Sequence, residues 1–322
     1  MIEPNELSQR VIFINDGLKA MRFDPMDRSC SFKLNTLKVR HLSNANARSL
    51  INEKLTDIGV AIRTSFERNY QNYQEWFLPR GIEVGYDEWI EEKEALLIPS
   101  LEEALENINN FSIKPLISVV MPTYNTDEKY LRICIDSVLN QYYSNIELCI
   151  ADDNSPDENV RRILTEYAQK DSRIKLVFRT ENGHISKATN SALSAASGDY
   201  VALLDHDDEL PLYAIYEVVN AINENPDCNI IYSDEDKIDE LGNRFQPHFK
   251  SGWNPDLLYS QNYISHLGVY RKALLDEING FRTGVEGSQD YDLLLRSLKA
   301  CKGQGIVHIP KVLYHWRAIS GS

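Results

Sequence analysis

The chain has no run of about 18 or more apolar residues, the length a membrane-crossing helix needs. Its first ten residues, MIEPNELSQR, carry an early acid and no apolar core, so they do not read as a secretory signal. Basic charge is scarce: 34 Lys and Arg stand against 48 Asp and Glu, a formal net charge of −14. That balance speaks against nucleic-acid binding, which runs on cations neutralising phosphates, and against a polybasic hold on a membrane surface. No CxxC pair occurs among the five scattered cysteines, Cys30, Cys134, Cys149, Cys228 and Cys301. Such a pattern fits reduced thiols in a cytoplasmic protein better than a disulfide framework. Peripheral attachment at the inner face of the cell membrane, or to a complex there, is compatible with this composition. Neither GxGxxG nor GxxxxGK[ST] is present, which disfavours a dinucleotide dehydrogenase or a P-loop enzyme.

What is present is an ordinary globular composition, 43% hydrophobic and 25% charged, with length for about two domains. Residues 1–112 read as a helical N-terminal module. Ile51, Leu55, Ile58, Ile62, Phe66, Tyr70, Tyr73 and Phe77 recur every three or four positions and form one stripe on a helix face. Trp76, Phe77, Tyr86 and Trp89 gather around the Pro79–Gly81 break, and core packing is favoured for them over a sugar-binding platform. From residue 113 to 322 the texture alternates. Leu116–Met121, Ile146–Ala151, Ile174–Phe178, Tyr200–Leu204 and Asn229–Tyr232 read as strands. Helical stretches around 131–142, 159–169, 186–196 and 291–301 separate or follow them. This rhythm predicts an α/β fold, a doubly wound and mostly parallel sheet with flanking helices. Ligands of such sheets bind beyond the carboxyl ends of the strands.

Three predicted strand ends carry polar, mostly acidic tips: Pro122–Asn125, Asp152–Ser155 and Asp205–Glu209. In the last, Asp205 and Asp207 lie two apart and can turn towards one cation. Hard carboxylate oxygens suit Mg2+ or Mn2+, whose shell substrate phosphates often complete. The plainer reading is a solvated acidic turn ahead of the next helix, with Pro211 in its first turn. Four carboxylates within five residues repel one another, however, so something must compensate, and a cation is favoured.

The series Pro122-x-Tyr124–Asn125, Asp152–Asp153–Asn154–Ser155, Asn182–Gly183…Ala188-x-Asn190 and Asp205-x-Asp207–Asp208 resembles the donor-binding half of glycosyltransferase family 2. The stretches Tyr232–Lys237, Glu286–Asp290 and His315–Arg317 resemble its bacterial surface-polysaccharide subset, of O-antigen or capsule type. The likeness runs from about Ile117 to Arg317. It implies the GT-A fold and inverting, metal-dependent transfer from a UDP- or dTDP-sugar to a glycan or lipid-linked glycan. By that resemblance Tyr124 stacks on the base and Asp153 accepts from the pyrimidine ring N–H, with Pro122 and Asn182 in the same donor-binding motifs. Asp207 is the first ligand of Mn2+ or Mg2+, and His315 is a further ligand. Asp205 contacts the donor or supports the ion. Asp290 is the general base, with Gln289 standing where the family carries Glu. Thr189 stands where many relatives carry Arg, so Lys187 or Arg179 is expected to face the diphosphate. Asp234, Glu235, Trp253, His266 and Gln289 are the candidate acceptor contacts.

Each assignment has a plainer counterpart: an Asx turn for Asp153, a solvated helix position for Lys187, a helix cap for Asp290, a half-buried strand histidine for His315, a solvated run for 234–236 and core packing for Trp253. Two rival functions are a sugar nucleotidyltransferase, which needs a Gly-rich basic loop not found after Met121, and a non-catalytic glycan-binding or scaffolding module. The chain ends soon after the last motif, where relatives often continue, which suggests a fragment of a longer, multi-domain transferase.

Overall fold

The computed structural model describes residues 85–318 continuously, with 43–57, 62, 64–66, 68–70 and 73 before them. The chain divides into two compact units, Met1–Gly85 and Tyr86–Ser322. In the first, α1 (Asn44–Asp57) buries Ile51 and Leu55 with Tyr73, and Phe66 and Tyr70 pack on this cluster. Of the expected stripe, Ile62 is non-helical and 49% exposed. Ile58, Trp76 and Phe77 lie outside the described residues.

The second unit begins earlier than the change in composition at 112/113. It opens with α2 (Tyr86–Glu92), a 3-10 turn (Glu94–Leu96) and α3 (Leu101–Asn110). Side chains of the first two reach the sheet: Tyr86 bonds Asp236, and Glu94 pairs with Arg244. Ser100 starts α3 by accepting from the Glu103 N–H.

The remaining elements are β1 (Ile117–Thr123), α4 (Glu128–Leu139), β2 (Ile146–Asp152), α5 (Glu158–Lys170), β3 (Ile174–Phe178), α6 (His184–Ala195), β4 (Tyr200–Leu203), α7 (Ala214–Glu224), β5 (Ile230–Ile238), β6 (Arg244–His248), α8 (Pro255–Ser260), β7 (Gly268–Arg271), α9 (Lys272–Glu277), α10 (Gln289–Ala300) and β8 (Ile306–Arg317). They form one sheet in the order β3-β2-β1-β4-β7-β5-β6, with β8 on β5. The pairs β1/β2, β2/β3, β1/β4 and β5/β8 are parallel, whereas β7 runs antiparallel to both β4 and β5. β8 follows one edge of β5, which leaves the other edge to β7 and then to β6.

Strand side chains alternate between two cores, as a sheet covered on both faces requires. Val119, Met121, Leu148, Ile150, Tyr200 and Ala202 join the core that α4, α5 and α7 cover. Val120, Cys149, Ala151, Val201, Ile230 and Tyr232 join the other, under α6, α9 and α10. Asp127, Asp157 and Asn254 cap α4, α5 and α8 through their side chains. The layers are therefore helix, sheet, helix, and they bring the strand-end tips to one rim. Among the described residues no helix is long and apolar enough to cross a membrane.

Candidate active site

The first two tips are held by side chains that cross between them. Pro122 and Thr123 are buried at the end of β1, and Tyr124 then emerges at 47% exposure. Asn125, with φ of 51°, donates its N–H to the Ser155 hydroxyl at 2.8 Å. That hydroxyl donates in turn to Asp152 at 2.5 Å. Asp153 is buried and accepts from Arg179 Nε at 2.7 Å and from the Gly183 N–H at 3.0 Å. Gly183 precedes α6, and a Cβ there would sit 2.6 Å from Arg179 Nη2 and 2.7 Å from Lys187 Cδ. A side chain at this position would displace the flexible ends of Arg179 and Lys187. Asp153 is more than an Asx-turn residue: it locks the start of α6 and the Arg179 guanidinium together, and Oδ2 keeps lone-pair capacity. Asn182 accepts from the His184 N–H, and Lys187 is exposed one helical turn on. Asn190 has another task, clamping Phe281 through both its N–H and its C=O at 2.8 Å each.

At the β4 tip the acidic run separates. Asp205 and Asp207 are half-buried. Asp208 turns fully inside, where it accepts from the Tyr314 hydroxyl at 2.5 Å and the Arg317 N–H at 2.7 Å. Burial and the neighbouring Asp205 push its carboxyl well above the ordinary range. Glu209 pairs with the Arg317 guanidinium, which also donates to the Asp207 carbonyl at 2.8 Å. The repulsion read from the sequence is thus relieved in part without a cation, by Arg317 and by raising Asp208. Asp205 and Asp207 are the two carboxylates of the tip that this pairing leaves for a ligand. Among the described residues no three His, Cys, Asp or Glu side chains converge as a complete metal cage. An ion completed by substrate phosphates needs only one or two carboxylates, a donor set these residues fit.

Opposite lies α10. Ser288 occupies its N-cap position without a side-chain bond, and Asp290 sits inside the first turn rather than capping it. Burial and the Asp205 charge raise Asp290 to about 6 against the opposing pull of His266. Gln289 takes a supporting place: it accepts from the Gly287 N–H at 2.7 Å and donates to Asp290 at 2.9 Å. The His266 ring stacks on Tyr314 at 4.3 Å between centroids, so Asp205, Asp290 and His266 share one neighbourhood.

The carboxylates of β5 point inward rather than forming a solvated run. Asp234 binds His308 Nε2 and accepts the Lys250 N–H, both at 2.8 Å. Glu235 accepts from the His266 N–H at 2.9 Å and faces His248 Nδ1 at 3.1 Å and Lys250 Nζ at 3.4 Å. Burial alone would raise Glu235, but His248 and Lys250 outweigh it and hold the carboxyl at about 2. Lys250 is itself buried, donates to the Ile264 and His266 carbonyls, and is pushed down to about 8 by that burial. Trp253 packs half-buried against the second core, and of the five expected acceptor contacts His266 and Gln289 lie beside Asp290.

His315 is fixed twice. Its backbone pairs with Glu209 through bonds of 2.9 and 3.1 Å, and its Nδ1 meets Asp236 at 2.5 Å. Asp236 also receives the Tyr86 hydroxyl at 2.7 Å and Arg244 Nε at 2.5 Å. Burial raises Asp236, yet His315 and Arg244 outweigh it and lower its carboxyl overall. Sequence reasoning missed Arg244, Glu94, Tyr86, Lys250 and Tyr314. Glu94 and Arg244 are 150 positions apart and carry no joint motif. For Asp236 the signal was its place in the Asp234–Lys237 run.

Residues 118–278 match the family model described as glycosyl transferase family 2. Protein y4gI of Sinorhizobium fredii is 52% identical over 234 residues, 73% of this chain and 25% of that protein. The O-antigen biosynthesis protein RfbC of Myxococcus xanthus is 37% identical over 232 residues, 72% of this chain and 18% of that protein. The chain therefore spans a quarter or less of these two relatives. S. aureus TarS 1-349, solved in complex with UDP-GlcNAc, superposes with a TM-score of 0.52 over 64% of this chain and 59% of its own, at 24% identity. That likeness bears on the fold, which is that of the GT-A transferases. The match across β1 to β7 and the tips it carries make the chain a member of glycosyl transferase family 2.

Proposed function

We propose that the chain transfers a sugar, with inversion, from a UDP- or dTDP-sugar to a glycan or lipid-linked glycan in bacterial surface-polysaccharide synthesis. The observation that carries this reading is the half-buried Asp290 in the first turn of α10, hydrogen-bonded by Gln289, with its carboxyl raised to about 6 by burial and the charge of Asp205. A carboxylate with that pKa is ionised at neutral pH and still basic enough to take a proton in the transition state. Tyr124 offers an exposed ring to the base, and Asp153 offers an acceptor to a ring N–H. Lys187 and Arg179 supply positive charge near the start of α6. Asp205 and Asp207, with His315, would hold Mn2+ or Mg2+. Such an ion supplies Lewis-acid stabilisation to the departing diphosphate.

The acceptor hydroxyl gives its proton to Asp290 as its oxygen bonds the anomeric carbon. The bond from that carbon to the phosphate oxygen breaks, and the nucleoside diphosphate leaves with the electron pair. No covalent enzyme intermediate forms. A thermal-shift screen of UDP- and dTDP-sugars with and without Mn2+, followed by an assay of nucleoside-diphosphate release, tests the proposal. One donor should stabilise the protein only with the metal and then be turned over. No stabilisation and no release by any of these donors would overturn it.

A further inference from the structure

We infer that Asp236 is a positioning residue for His315, and that it is held in place by Tyr86, Arg244 and Glu94 from outside the family motifs. The inference rests on the ligand role proposed for His315 and goes beyond it to what sets that histidine's tautomer. An ionised carboxylate can only accept hydrogen bonds. With Asp236 Oδ1 at 2.5 Å from His315 Nδ1, the proton of the neutral ring sits on Nδ1 and the Nε2 lone pair is free. A histidine so fixed by a carboxylate is the usual arrangement behind a metal-binding imidazole.

The other oxygen of Asp236 is equally determined. Oδ2 takes two donors, Tyr86 Oη at 2.7 Å and Arg244 Nε at 2.5 Å. Arg244 is held on its far side by Glu94, at 2.5 and 2.7 Å, and its Nη2 donates to Tyr86 Oη at 3.0 Å. Tyr86, Trp89 and Phe249 pack around the group, with Trp89 and Phe249 centroids 4.7 Å apart. The backbone bonds between His315 and Glu209 tie this assembly to the Asp205–Glu209 tip. Residues 86–94 are in this way part of the site, although no chemistry could be read from them in the sequence.

The arrangement makes a specific substitution informative. In Asp236→Asn the two donors on the Oδ2 side require an acceptor, so the amide oxygen stays there and the amide NH2 faces His315. The ring must then accept at Nδ1, and its proton moves to Nε2. The test is two-bond 1H–15N correlation of histidine-labelled full chain, without metal or donor, on wild type and Asp236→Asn. Wild type should show the Nδ1–H tautomer at His315 and the variant the Nε2–H tautomer. Affinity for Mn2+ alone, measured by EPR, should fall about 10–100-fold in the variant, the usual range for loss of such a partner. Tyr86→Phe removes one donor and keeps the Asp236–His315 bond, so it should retain the tautomer and serves if Asp236→Asn does not fold. An Nε2–H tautomer in wild type or in Tyr86→Phe, or an unchanged tautomer in folded Asp236→Asn, would overturn the inference. Because the tautomer is read without metal or donor, it decides the matter even if the transfer assay fails.

Discussion

The two halves of the sheet hold their carboxylates differently. In β1 to β4 the strands are parallel, the tips follow one another in sequence, and Tyr124, Asp205 and Asp207 stand partly open to a ligand. In β5 to β8 the strands are mixed in direction, and Asp234, Glu235 and Asp236 are buried among His308, Lys250, His248, Arg244 and His315. The first half buries Asp153 and Asp208 but leaves Asp205 and Asp207 partly open, whereas the second buries all three carboxylates of β5 in bonds that hold the site together. The same residue type thus stands open or buried, and only partners distant in sequence decide which.

The comparison can be broken where its buried half is strongest. Arg244→Ala would leave Glu94 and Asp236 without their shared cation and should cost about 3–5 kcal/mol of stability, read by denaturant unfolding. A loss below about 1 kcal/mol would mean the network is ornamental. On the open half, Tyr124→Ala should leave unfolding unchanged and weaken donor binding by about 1–3 kcal/mol, the usual worth of a stacked base. Calorimetric titration with the nucleoside diphosphate checks this.

Asp290 joins the two halves and gives a third, smaller effect of defined sign. Its folded pKa, about 6, lies above the ordinary 3.8, so its contribution to stability is full below 3.8 and is lost as pH rises through 6. Asp290→Asn should therefore be more stable than wild type at pH 8, by about 1–3 kcal/mol, with the gain vanishing near pH 4. The smallest effect belongs to the partly exposed pairs on α4 and α5, where Glu166 meets Arg132 and Lys170. Glu166→Gln should leave the melting temperature unchanged, since exposed pairs are screened by solvent.

The first half was legible in sequence because its signals are local. An apolar run followed by a polar tip places both the strand and its ligand-facing end. The acidic run at 205–209 is only half legible: its repulsion can be read from the sequence, but Arg317 and Tyr314 answer part of it from β8, more than 100 positions away. The 234–236 run reads in sequence as either an acceptor lining or a solvated surface, and nothing nearby announces its burial against Lys250 and His308. The boundary at 85/86, rather than 112/113, follows from Tyr86 and Glu94 bonding to β5 and β6, which composition does not reveal.

The central claim is that Asp290 takes the acceptor's proton. The most direct measurement is the pH profile of transfer, once a donor and acceptor are in hand, for wild type and Asp290→Asn. The account predicts a wild-type rate that falls below pH of about 6, and a variant that binds donor normally but transfers about 100- to 10,000-fold more slowly. A variant with full transfer activity, or a wild-type profile flat through pH 6, would contradict it.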